Sequence, residues 1–147
     1  MPKEIERKFL VKSEPDEQIV LNRNHVSQGY LKIGIDYEVR ISNKLHLTTK
    51  SGFGLTREEN IYDITPEVYE ALLPLTAGKR IDKIRAVCQL DNGLKAEFDS
   101  YLGANEGLRT VEVEFESEEQ ANSFVPPDWF GEDVTHISTY KNSLLAK

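Results

Sequence analysis

The chain has a single cysteine, Cys88, among 147 residues, which excludes an internal disulfide and a cysteine-rich zinc cluster. Cys88 sits within an apolar alternation with Ile84 and Ala86 and reads as a reduced, buried thiol. No run approaches the roughly 20 apolar residues that a membrane span needs, and charge begins at Lys3. The expectation is a cytoplasmic protein. Basic residues are outnumbered, with 18 Lys and Arg against 25 Asp and Glu and a net charge of −7. That balance argues against broad nucleic-acid or anionic-membrane binding, while leaving a local basic patch open. The three histidines, His25, His46 and His136, lack zinc-ligand spacing and read as structural or solvent-facing. No internal repeat or low-complexity segment interrupts the chain. Hydrophobic residues at 39% suffice for one modest core, so one domain over residues 1–147 is expected.

What the chain has in quantity is period-two alternation. In Glu4-Ile5-Glu6-Arg7-Lys8-Phe9, a strand would place Glu4, Glu6 and Lys8 on one face and Ile5 and Phe9 on the other. Glu38, Arg40 and Ser42 alternate with Val39 and Ile41. His46, Thr48 and Lys50 oppose Leu45 and Leu47, and Arg57 with Glu59 follow a Gly52/Gly54 turn. Farther on, Lys83 and Arg85 alternate with Ile84 and Ala86, and Lys95, Glu97 and Asp99 with Leu94, Ala96 and Phe98. The clearest run is Thr110 to Glu116, where Glu112, Glu114 and Glu116 oppose Val111, Val113 and Phe115.

These patterns predict strands near residues 3–12, 25–33, 36–43, 45–50, 54–63, 80–91, 94–101 and 108–116. Thr65-Pro66-Glu67 predicts a capped helix that stops before Gly78. Ser117 to Gln120 has capping-box spacing and opens a helix that ends at Pro126-Pro127. A short C-terminal helix is expected over about 138–146. So many strands with so few helices predict a mainly β, α+β fold: an antiparallel sheet closed into a barrel, because closure removes exposed edges. The alternation alone leaves open whether the apolar or the charged face points inward.

In family order, several segments resemble landmarks of the CYTH family, the triphosphate tunnel metalloenzymes. Glu4-Ile5-Glu6-Arg7-Lys8 is similar to its opening ExExK signature. Gln28-Gly29-Tyr30-Leu31, Glu38-Val39-Arg40, Leu47-Thr48-Thr49-Lys50 and Gly54 to Glu59 follow. Glu97-Phe98-Asp99, Val111 to Phe115, Val134-Thr135 and Tyr140-Lys141-Asn142 complete the series across essentially the whole chain. The resemblance implies an eight-stranded antiparallel tunnel with the charged face inside, flanked by a few helices and a C-terminal helix. It also implies hydrolysis of a triphosphate chain, with inorganic tripolyphosphate the expected substrate of the small bacterial-type members. Thiamine triphosphate hydrolysis and ATP cyclisation are the alternatives within the family.

For the site, the expected phosphate contacts are Lys8, Arg40, Lys50, Arg57, Lys83, Arg85 and Lys141, since a triphosphate needs cations along its length. Lys8 and Tyr30 are the candidate catalytic side chains. The resemblance makes Glu4, Glu6, Glu112 and Glu114 the leading metal candidates. Glu97 and Asp99 are further candidates, with Lys83 or Arg85 as salt-bridge partners in the alternative. Facing carboxylates must bind metal, pair with cations or take up protons, and oxygen-only ligands suit Mg2+ or Mn2+. The expected partner is a small-molecule triphosphate, with no nucleic acid or membrane, and the chain a monomer or homodimer. Three positions depart from the family pattern. Ser42 stands where a second arginine is common, and Ile137 and Thr139 stand where an aspartate and an arginine often precede the tyrosine. These departures point to the other functional class, a non-catalytic triphosphate- or nucleotide-binding module.

Overall fold

The computed structural model describes residues 2–147. Its strands are β1 (Lys3–Val11), β2 (Val20–Ile33), β3 (Tyr37–Ser42), β4 (His46–Ser51), β5 (Thr56–Asp63), β6 (Arg80–Gln89), β7 (Lys95–Tyr101), β8 (Arg109–Phe115) and β9 (Phe130–Asp133). Hydrogen bonding runs in the order β5-β4-β3-β2-β6-β7-β8-β1, antiparallel throughout, and β1 returns to β5. Eight strands therefore close on themselves. One strand serves both the closure and an extension: Glu4 of β1 pairs with Arg57 of β5, while Phe9 farther along pairs with Asp133 of β9. The helices are α1 (Pro66–Leu72), α2 (Glu118–Ser123) and α3 (Asn142–Leu145). No helix among the described residues is long and apolar enough to cross a membrane.

Every expected strand is present, and the differences have local causes. β2 begins at Val20 because Val20 to Asn24 pair with β6, although Asn22, Arg23 and Asn24 give that stretch no apolar alternation. The four residues of β9 carry no strand pattern of their own and are templated by the free edge of β1. Thr65 caps α1 by accepting from the Val68 amide, and Ser117 caps α2 by accepting from the Gln120 amide. The continuous C-terminal helix expected over 138–146 is corrected. A 3-10 turn at Ser138–Tyr140 is followed by Lys141 in an extended conformation (φ −65°, ψ 136°) and then by α3. The Tyr140 carbonyl, which a continuous helix would offer to the Leu144 amide, accepts the Lys8 ammonium instead at 2.7 Å.

The register decides the faces. Glu6 stands opposite Glu114 and Lys8 opposite Glu112 across β1 and β8, and Arg85 stands opposite Asp99 across β6 and β7. These side chains share the lumen, where Glu4, Glu38, Lys50, Lys83, Asp99 and Glu112 are buried. The apolar residues point outward. Phe9, Ala86, Phe98, Val111, Val113 and Phe115 are buried against Ala121, Phe124, Trp129 and Phe130 of the segment that follows β8. Edge-to-face aromatic contacts knit that layer, Phe9 to Phe130 at 5.0 Å and Trp129 to Phe130 at 4.6 Å between centroids. On another side, Gly29 of β2 lets the turn after α1 approach closely, since a Cβ there would stand 2.5 Å from Thr76 Oγ1.

Arg7 clasps the outer layer to the barrel. Its guanidinium donates to the Ala121 and Phe124 carbonyls at 2.9 and 3.2 Å and to the Asp133 carboxylate at 3.0 Å. It also lies 5.0 Å from the centroid of the Phe9 ring. Burial acts to raise the Asp133 carboxyl, but the Thr135 hydroxyl and amide and the Arg7 charge overcome it and hold the group below its ordinary range. An Arg7→Met variant keeps the aliphatic stem but strands these acceptors, and should lose about 2–4 kcal/mol in urea denaturation at neutral pH. Because the Asp133 contribution is present above the ordinary carboxylate value and is lost as pH falls through the lowered one, the gap between wild type and variant should narrow on acidification. A gap that is constant from neutral to strongly acidic pH would count against the Arg7–Asp133 link.

Candidate functional site

Strand closure gathers ionisable groups distant in sequence into two connected clefts inside the barrel. One is lined by the basic residues Lys8, Arg40, Lys50, Arg57 and Lys141 against the acidic Glu6, Glu38 and Glu112. The other reverses the balance, with Glu4, Glu6, Glu59, Glu97, Glu112 and Glu114 against Arg40, Lys50 and Arg85. Glu6, Arg40, Lys50, Glu112 and Asn142 line both. The sign of the lining therefore changes along the lumen, and these residues mark the boundary. Glu97 and Glu114 also line an outer cleft beside the β6–β7 turn, which continues the acidic end to the surface.

Most of the buried charge is compensated. Lys50 lies 3.1 Å from Glu4 and 3.3 Å from Glu59, and Arg57 lies 2.9 Å from Glu38. Arg85 makes a two-pronged contact with Asp99, 2.8 Å on each side, and reaches Glu97 at 3.1 Å. Lys83 sits 2.7 Å from Asp99, both side chains wholly shielded from solvent. Asp99 and Lys83 line neither cleft. Of the two roles weighed for Asp99, the salt bridge is the one found. Lys83, expected among the phosphate contacts, is turned toward this carboxylate and away from the clefts.

Three lumen cations, Lys8, Arg40 and Lys141, have no carboxylate within 4.0 Å among the described residues, and all line the basic cleft. Lys8 is held by neutral oxygens instead, those of the Tyr140 carbonyl and the Asn142 side chain. Lys141 stands 5.2 Å from the centroid of the Phe53 ring, and partial burial lowers its ammonium pKa, with the Glu38 charge opposing and the Arg57 charge adding to the shift. Tyr30 is fully buried in the same cleft and its hydroxyl has no hydrogen-bond partner. Burial raises that phenol above its ordinary value although the Arg40 charge pulls the other way. The phenol therefore keeps its proton at neutral pH and can donate a hydrogen bond.

The acidic counterpart is the Glu6 and Glu112 pair. Burial, together with the neighbouring Glu112 and Glu4 charges, lifts the Glu6 carboxyl well above its ordinary range. At Glu112 burial is outweighed by a hydrogen bond from Glu6 and by the charges of Lys8, Lys83 and Arg85, which hold it well below. Of the two, Glu6 is therefore the more readily protonated. Glu112 Oε1 is buried and accepts no hydrogen bond, with the Arg85 guanidinium 3.7 Å away. No three His, Cys, Asp or Glu side chains among the described residues converge into a ready-made metal cage. Two neighbouring carboxylates nonetheless fit a divalent ion such as Mg2+, which keeps waters and takes phosphate oxygens as further ligands. Glu4 and Glu114 line the adjoining acidic cleft.

Reading by alternation passed over Glu38 and Glu59 as site residues, though each stands two places from a chosen arginine on the same strand face. Phe53, Thr135 and Asn142 also line the lumen clefts. They come from loops and the C-terminal segment, where no strand period reports direction. None of the histidines lines either cleft: His25 and His46 approach Asp82 and Asp63, and His136 packs on Gly54.

The raised Glu6 carboxyl has a consequence for stability. Glu6 binds its proton more tightly folded than unfolded, so in EDTA the folded protein should lose stability as pH rises from the ordinary carboxylate value through the raised one. Glu6→Gln mimics the protonated form and should flatten that slope, giving a higher melting temperature than wild type near neutral pH. Parallel pH slopes for the two proteins would refute the raised Glu6 carboxyl.

No protein-family model matches the chain. A curated inorganic triphosphatase of Nitrosomonas europaea is 42% identical over 147 residues, covering 97% of this chain and 96% of the relative. Another inorganic triphosphatase, from Acetivibrio thermocellus, is 37% identical over 155 residues, covering 100% and 95%. The crystal structure of the inorganic triphosphatase NE1496 has a TM-score of 0.71 at 37% identity, with 99% of this chain and 95% of that one covered. A protein from Hippeastrum at 14% identity and a TM-score of 0.57, covering 83% of each chain, shares the fold alone. Identity of 42% along nearly the whole of two chains establishes common descent, and the chain belongs to the CYTH family of triphosphate tunnel metalloenzymes.

Proposed function

We propose that the chain is a divalent-metal-dependent hydrolase that cleaves inorganic tripolyphosphate to diphosphate and phosphate, with Mg2+ or Mn2+ as the ion. The observation that carries this reading is the juxtaposition of uncompensated cations with a carboxylate oxygen that accepts no hydrogen bond. Lys8, Arg40 and Lys141 share a cleft with Glu112, whose Oε1 has only the Arg85 guanidinium near it, at 3.7 Å. A triphosphate is a short rod of several negative charges, and this cleft offers positive charge that no protein carboxylate has consumed. The names of the two full-length relatives support the same substrate.

In this reading Lys8, Arg40 and Lys141 hold phosphate oxygens and stabilise charge gathering on the leaving diphosphate, as fixed donors in a desolvated site do. Arg57, oriented by Glu38, adds a guanidinium edge. Tyr30 remains protonated and donates its hydroxyl hydrogen to an oxygen beside Arg40. Glu6 and Glu112 hold the cation, with Glu4 and Glu114 as further carboxylates of that end and Glu97 kept near Arg85. When bound, a divalent ion neutralises phosphate charge and lowers the pKa of water. Lys50, flanked by two carboxylates, and Arg85, joined to Asp99, shape the acidic end more than they bind phosphate. The proposal includes a single tunnel domain over residues 1–147, in the cytoplasm, acting as a monomer or homodimer on a small molecule and without nucleic-acid or membrane partners. An unpaired cysteine and the net charge of −7 support these assignments.

A second reading, triphosphate binding without turnover, is favoured by one specific feature. Ile137 lines the basic cleft, contributing no charge where relatives of the family often carry an aspartate. Phosphate release from tripolyphosphate, ATP and thiamine triphosphate, each with Mg2+, Mn2+ or EDTA, separates the two. Release from tripolyphosphate that EDTA abolishes is expected, and tight binding with no release under any metal would leave only the module. Glu112→Gln and Lys8→Ala should each lower kcat/KM for tripolyphosphate by about 10²-fold or more, whereas Glu118→Gln on exposed α2 should leave it unchanged. Full activity in Glu112→Gln would remove that carboxylate from the site.

A further inference from the structure

The segment Tyr140-Lys141-Asn142 stands out in the sequence, yet only Lys141 has been given a task. Asn142 follows the extended Lys141 and begins α3, and its side chain lines both lumen clefts. Its Oδ1 accepts from the Tyr101 hydroxyl at 2.5 Å and lies 3.4 Å from the Lys8 ammonium. The ammonium also donates to the Tyr140 carbonyl at 2.7 Å. An ammonium and a side-chain NH2 are both donors only, so the amide must turn its oxygen to Lys8. Its Nδ2 group makes no hydrogen bond to any described residue and is available to an anion in the lumen.

We infer that Asn142 is both a positioning residue for Lys8 and a neutral hydrogen-bond donor to the bound triphosphate. The inference rests on the triphosphatase reading and extends it to the C-terminal segment. Its physical basis is the contrast among the lumen lysines. Lys50 and Lys83 are oriented by carboxylates that cancel their charge. Lys8 is oriented by two oxygens without net charge, which fix the direction of the ammonium and leave its positive charge for phosphate. Tyr101 supports the arrangement from behind: it is buried among Tyr30, Ile81, Leu145 and Ala146, so the bond to Asn142 comes from a fixed ring. Asn105, which donates to the Leu145 carbonyl at 2.8 Å, secures the other end of α3.

The charge of the side chain at this position is therefore the variable to test. Asn142→Asp is nearly isosteric and can accept the same two hydrogen bonds, but it pairs Lys8 with a carboxylate and replaces the amide donor. Its KM for tripolyphosphate should rise at least about tenfold, as an added like charge a few ångströms from the substrate implies, with a smaller change in kcat and an unchanged melting temperature. Asn142→Ala leaves the charge balance alone and releases Lys8, so kcat should fall more than KM rises. Calorimetric binding of tripolyphosphate in EDTA follows the same order, with wild type tightest and Asn142→Asp weakest. Equal losses in the two variants that track a lowered melting temperature would reduce Asn142 to a structural role and overturn the inference. An active wild type with an Asn142→Asp variant of identical KM and affinity would overturn it while leaving the triphosphatase reading intact. A wild type that neither binds nor cleaves tripolyphosphate would overturn both.

Discussion

Enclosing charge in a barrel is tolerable only when each ion finds a partner, because an isolated ion in a desolvated space costs several kcal/mol. That constraint organises the lumen of this protein. Lys50 is shared by Glu4 and Glu59, Arg57 takes Glu38, and Lys83 and Arg85 divide Asp99 between them. What remains after these pairings is small and localised: three cations in one cleft, and at its boundary the Glu6 and Glu112 carboxyls, whose proton affinities are pushed apart. That remainder is the charge pattern on which the proposed triphosphate and metal sites rest.

An ionic interior also dictates what must happen outside. The hydrophobic faces of β1, β6, β7 and β8 point away from the lumen and need cover, which the segment from α2 to β9 supplies with Phe124, Trp129 and Phe130. β1 shows the economy of the arrangement on a single strand. Glu4, Glu6 and Lys8 enter the lumen while Ile5, Arg7 and Phe9 alternate toward the covering layer, where the Arg7 guanidinium holds two carbonyls and Asp133. The same strand closes the barrel against β5 and templates β9. Packing and site are thus coupled through one backbone, since a register shift of one residue would exchange its two faces.

The departures from the family pattern acquire different weights in the structure. Ser42 is buried at the end of β3, opposite Gln28 and His46, and lines neither lumen cleft. Ile137 does line the basic cleft, as do Val134 and Phe53, so the lining of that cleft is partly apolar. The C-terminal segment adds Lys141 and Asn142 to the lumen and contributes a backbone carbonyl to the orientation of Lys8. It belongs to the site as much as the strands do.

Alternation in the sequence was enough to locate the eight barrel strands, though not β9 or the start of β2, and to assign side chains to strand faces, including the grouping of Glu4, Glu6 and Lys8 and of Glu112 with Glu114. The reason is geometric: adjacent side chains of a strand point oppositely, whatever the strand packs against. The inward direction of the charged face was legible only through family resemblance, because a period of two has no inside or outside. Tertiary structure alone decided which charges stay free. Lys83 and Lys8 look alike in alternation, yet one meets Asp99 and the other a carbonyl and an amide oxygen. Those partners lie on other strands or more than 130 residues away, and closure of the barrel, which no local pattern encodes, brings them within reach.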